Sequence, residues 1–165
     1  MKIKITILLL TSFISQFSFG QINFEDLKVD TTITEFHLAA NFQGTYIYTP
    51  NGKSDLNTIN PSAFSFSILP NTTMKAAMGE IENLFTMSKQ NGYNLTDIIR
   101  KDTVISGYKA FIFSYTETEK TTAYKNLVFN AVVMKENTAV IFVSGDLSKG
   151  KYLESFKKTF YTTKL

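Results

Sequence analysis

The sequence predicts an α+β domain, a mainly antiparallel β-sheet covered by helices as an α/β/α sandwich. Three observations predict it. Met74, Ala77, Met78, Ile81, Leu84 and Phe85 recur at three- and four-residue spacing, the stripe of an amphipathic helix. After Gly92 the pattern changes to strand-like stretches joined by short polar connections, as antiparallel neighbours require. The last three of these stretches are apolar on both faces, and a two-faced apolar sheet must be covered on both sides.

The elements follow in order. Residues 1–20 read as a secretory signal: Lys2 and Lys4, then an apolar run through Ile14, then a small and polar exit ending at Gly20. The run is shorter than the about 20 apolar residues a membrane helix needs. Cleavage after Gly20 would expose Gln21 and leave residues 21–165 as one domain with no transmembrane anchor. Residues 32–38 (TITEFHL) and 45–48 read as strands. Residues 49–63 hold the breakers Pro50, Asn51, Gly52, Asn60 and Pro61 and read as a loop. Residues 64–68 alternate Phe-Ser-Phe-Ser-Ile until Pro70 stops them. The helix is capped by Asn71, Thr72 or Thr73, and Gly92 suits its left-handed exit. Strands are predicted over 94–104, 108–116, 127–134 and 139–145, with turns at Ser106-Gly107 and residues 135–137. A final helix carries Leu153, Phe156 and Phe160, with Ser148 as its cap and Lys157 and Lys158 near its end.

Composition narrows the function classes. The chain has 17 basic and 14 acidic residues; the signal holds two of the lysines, so the mature balance is 15 against 14. That near-neutral balance, with no clustered basic face, argues against a nucleic-acid partner. With no cysteine there is no disulfide, thiol nucleophile or thiolate metal site. A single histidine, His37, precludes a multi-histidine metal centre within one chain.

Three segments together resemble the PsbP-like fold superfamily, which includes PsbP, the DcrB-like bacterial envelope proteins and the Mog proteins. They are the strand FSFSILP (64–70) running into the long helix, VISGYKAFIF (104–113) with its apolar-x-Gly-x-x-Ala turn, and AVIFVS (139–144) leading to Tyr152, Phe156 and Phe160. The resemblance covers residues 64–160, while residues 21–63 match poorly. It implies an accessory or binding role and carries over no catalytic residue, since fold alone does not establish function.

Candidate sites are few. Ser106 and Lys109 match a Ser-x-x-Lys pattern, but that chemistry wants a helix, and Gly107 argues for a turn into a strand. Glu35 and His37, two apart on a predicted strand, would share a face and form an exposed pair. Glu80 and Glu82 do not face each other on a helix. Glu117 and Glu119 would share a face if the strand ran that far, but read as a solvated connection with Lys120. Tyr46 and Tyr48 project to one side of a short strand and are the candidate binding surface. No catalytic, cofactor or metal residue is assigned. The expectation is a non-catalytic exported accessory or binding domain, periplasmic or secreted, whose partner is another envelope protein or a small ligand. The alternatives are a small-molecule or lipid carrier of the bacterial envelope and, behind it, a hydrolase.

Overall fold

The computed structural model describes residues 27–53 and 62–164. The signal reading lies outside the described residues. Seven strands form one sheet: β1 (His37–Phe42), β2 (Thr45–Thr49), β3 (Ser62–Leu69), β4 (Asn94–Ile105), β5 (Tyr108–Thr118), β6 (Lys125–Lys135) and β7 (Thr138–Asp146). Their order is β1-β2-β3-β7-β6-β5-β4, antiparallel throughout. Helix α1 (Met74–Gln90) carries the chain from β3 to the far edge, and the β4–β7 meander returns until β7 pairs with β3. Helix α2 (Leu153–Thr162) closes the described chain.

The two apolar faces are covered as the strand pattern requires. Ala77 and Ile81 of α1 pack on Phe111, Phe113, Val128, Val132 and Ile141. On the opposite face Phe156 and Phe160 of α2 pack on Phe64, Phe66, Phe129 and Phe142. Leu27 and Phe36, from the segment preceding β1, join that second core. The hairpin turns Gln43-Gly44 and Ser106-Gly107 hold positive φ at both residues, the geometry of a primed two-residue turn matched to strand twist. Thr73 caps α1 by accepting from the Ala76 amide, and Gly92 takes φ +85 beyond its end.

Three local expectations are corrected. Residues 32–38 are not one strand: Asp30 accepts from the Thr32 amide and nucleates a 3-10 turn, Thr31–Ile33, so β1 starts only at His37. Ser148 does not cap α2, and Lys157 and Lys158 lie before its last turn, which holds no basic residue. The cap is instead the buried carboxylate of Asp146. One oxygen accepts from Ser62 Oγ (2.8 Å) and the Ser148 amide (2.7 Å). The other accepts from the amides of Tyr152 (2.7 Å) and Leu153 (3.1 Å). This single side chain joins β7, β3 and the start of α2, and its negative charge suits the positive helix end.

Asp146→Ala is expected to destabilise the domain by about 2–4 kcal/mol, since it leaves buried donors unpaired. Asp146→Asn, which keeps one acceptor oxygen, should lose less. Urea midpoints of the two variants check this; equal midpoints with the wild type would mean the α2 amides find other acceptors.

Candidate functional site

The strand alternation Phe111, Phe113, Tyr115 places Glu117 on the α1 face of β5. Glu117 is buried, only 4% exposed. This corrects its reading as part of a solvated connection, for β5 runs to Thr118. Only Glu119 lies in the connection, where it accepts from the Thr122 hydroxyl. Glu117 Oε2 accepts from Asn126 Nδ2 (2.8 Å) on the neighbouring strand β6. Its Oε1 is hydrogen-bonded to Ser88 Oγ, in the last turn of α1.

Ser88 Oγ donates to Glu117 Oε1 and also lies 3.1 Å from the Leu84 carbonyl oxygen. Two features disfavour the charged form of Glu117. The side-chain ion pairs among the described residues, Arg100–Glu82 and Lys157–Glu154, do not involve Glu117. The negative C-terminal end of α1 lies beside it. Burial accordingly pushes the Glu117 carboxyl above its ordinary range, and the bonds from Ser88 and Asn126 offset only part of that. Burial likewise raises the phenol of neighbouring Tyr115.

These groups line a half-enclosed cavity of about 40 Å³, walled on its apolar side by Ala63, Leu84, Val128 and Val143. At its wall the Asn130 side chain bonds the Tyr115 phenol, and the buried Asn126 Oδ1 has no hydrogen-bond partner. Gly145 makes room there, for a Cβ at that position would stand 3.0 Å from Asn126 Oδ1. An open depression of about 480 Å³ is separate from this cavity and is lined by Thr122, Tyr124, Lys125, Leu127, Leu147 and Lys149.

The residues singled out in the sequence are not brought together here. Tyr46 and Tyr48 do share a face, but Tyr48 is buried and stacks on Phe64 with ring centroids 4.8 Å apart, while Tyr46 is half-buried against the same core. Glu35 precedes β1 with φ 58 and is not on a strand with His37; both are exposed. Ser106 occupies the β4–β5 turn with φ 52, and Lys109 is the second residue of β5. Among the described residues no group of three His, Cys, Asp or Glu could hold a metal ion. No helix among them is long and apolar enough to cross a membrane.

The Glu117 site makes stability pH-dependent. The folded carboxyl holds its proton more tightly than the unfolded one. Its contribution is therefore complete below the ordinary carboxylate range and is lost as pH rises through the folded pKa. Glu117→Gln offers the same donor and acceptor without titrating. Its urea midpoint is expected to exceed that of the wild type by a margin that grows as pH rises above the ordinary carboxylate range. A pH-independent difference would mean that the folded carboxyl holds its proton no more tightly than the unfolded one. Glu117→Leu leaves Asn126 unpaired and should cost about 1–3 kcal/mol at acid pH.

No family model and no curated protein matches the sequence. Solved structures match the fold. Cyanobacterial PsbP (CyanoP) from Synechocystis sp. PCC 6803 aligns with a TM-score of 0.54 at 10% identity, over 90% of this chain and 98% of that one. A mutant of the protein Mog1 aligns with a TM-score of 0.50 at 14% identity, over 86% and 87%. The Saccharomyces cerevisiae Ran-binding protein Mog1p aligns with a TM-score of 0.46 at 13% identity, over 86% and 87%. With its seven-stranded antiparallel sheet between two helices, the chain has the PsbP-like fold.

Proposed function

We propose that the chain is a non-catalytic binding domain, exported through the inner membrane by residues 1–20, that docks another protein of the bacterial envelope. The observation that carries this reading is the likeness to CyanoP, which spans nearly the whole of both chains. The packing beside Glu117 weighs against a lipid enclosed there: the cavity is about 40 Å³, against roughly 300–1,000 Å³ for pockets that enclose drug-sized ligands. The surface offers tyrosines for docking. Tyr46 is half-buried and Tyr124 is 56% exposed, beside Lys125 and Lys149. Tyr48, buried in the core, contributes by holding β2 in place.

Photocrosslinking in the native host tests the reading. A photoreactive phenylalanine at position 46 or 124 should trap one reproducible protein, while the same probe at Glu154, on the outer side of α2, should not. A chain that crosslinks from neither tyrosine and purifies as a monomer overturns it. The mass of the chain from the cell envelope should correspond to a start at Gln21; a full-length mass would refute export by cleavage at that bond.

A further inference from the structure

The lysines are spread along the sequence, and the fold gathers two of them at one hollow. β6 pairs with β7 so that Leu127 stands opposite Asp146, which brings the β5–β6 and β7–α2 connections to the same end of the sheet. Lys125 comes from the end of the first and Lys149 from the second, and both line the open depression of about 480 Å³. Neither lysine is in an ion pair among the described residues. The acids nearest in the chain are already engaged. Glu119 accepts from the Thr122 hydroxyl within its own loop. Asp146 is buried, its oxygens bonded to Ser62 and to the amides of Ser148, Tyr152 and Leu153. No acidic residue lines the depression itself.

Between the two cations the surface is apolar. Leu127 and Leu147 are half-buried there, and Tyr124 is 56% exposed beside them. Both connections are held in shape by their own hydrogen bonds. The Ala123 amide donates to the Glu119 carbonyl (3.0 Å), the Glu119 amide to the Tyr124 carbonyl (2.9 Å) and the Lys151 amide to the Ser148 carbonyl (3.2 Å). Ala123 and Lys149 take φ 56 and 59, a conformation that residues with a side chain seldom hold. Gly150, at φ 85, lets the second connection approach Leu127 so closely that a Cβ would stand 3.0 Å from its Cδ1. A surface fixed in advance loses little freedom when a ligand settles on it.

We propose, resting on the docking reading above, that this depression seats an acidic segment of the protein partner. An aliphatic or aromatic residue of that segment lies on Leu127, Leu147 and Tyr124, and carboxylates on either side of it meet Lys125 and Lys149. The volume lies within the roughly 300–1,000 Å³ of sites that enclose small ligands, so several side chains fit. Concavity favours a peptide over a membrane, since a flat bilayer surface would touch only the rim.

A capped peptide of one leucine flanked on both sides by glutamates, titrated into the isotope-labelled mature chain, tests the site. It should shift the backbone amides of Tyr124, Lys125 and Lys149 saturably, and less as salt is raised. The same peptide with lysines in place of the glutamates should not. Lys125→Glu combined with Lys149→Glu should weaken the response by roughly tenfold or more. Lys75→Glu combined with Lys101→Glu, the same charge change at exposed positions outside the depression, should leave it unaltered. If the first pair does not fold, Lys125→Gln with Lys149→Gln serves in its place. Binding that survives the first pair, or weakens equally with the second, would overturn the site. Phosphatidylglycerol vesicles that shift these amides where the peptide does not would overturn it in favour of a membrane surface. A peptide that shifts nothing, while a photoprobe at position 124 still traps a protein, would overturn the acidic segment and leave the docking reading standing. A peptide that binds, while position 124 traps nothing, would overturn the docking reading and leave the acidic-segment site standing.

Discussion

A sheet with two apolar faces is the constraint on which the structure depends. Strands β5, β6 and β7 place Phe and Val side chains both above and below the sheet, so neither face tolerates water. Helix α1 covers one face and α2, with Leu27 and Phe36, the other. Each helix reaches only so far. The buried stripe of α1 runs Ala77, Ile81, Leu84 and then changes to Ser88, two residues before the helix ends. The sheet changes with it: Phe111, Phe113 and Tyr115 give way to Glu117, and Val132 to Asn130. The cavity forms where the cover thins, and its polar groups match a helix end that has run out of apolar side chains.

Most of this architecture was legible because it rests on periodicity. The α1 stripe, the two-sided strands and the Ser106-Gly107 turn all act within a few residues, where spacing speaks directly. Glu117 was hidden for a physical reason. It stands in the polar string Thr-Glu-Thr-Glu-Lys, and only the helix lying over it makes it buried. One signal was present: 111, 113, 115 and 117 continue a single period of two, so the strand pattern pointed inward one residue beyond its last aromatic. The α2 cap was missed likewise, because Asp146 acts on the Tyr152 and Leu153 amides across a loop. At residues 31–33 a β-branched run lost to a local competitor, the Asp30 carboxylate bonding the backbone.

The edges of the sheet are managed differently from its centre. β4 is long and mostly exposed, with Ile99 and Val104 facing outward. Its register breaks between Thr96 and Ile99, where Asp97 takes φ 54, and such bulges discourage pairing with a further strand. Arg100 lays its guanidinium over Phe113 at 4.3 Å and Phe85 at 5.4 Å, so a half-exposed charge covers the aromatic surface at this edge.

The bridge between Lys28 and Lys164 has a mechanical meaning. The two backbones exchange hydrogen bonds of 3.2 and 3.4 Å and run antiparallel, so the described chain enters and leaves the domain at one point. Whatever is tethered before residue 28 or after residue 164 emerges from the same spot. Tension between two such tethers would load this bridge first and peel Leu27 and α2 away like a zipper, leaving the central strands unsheared.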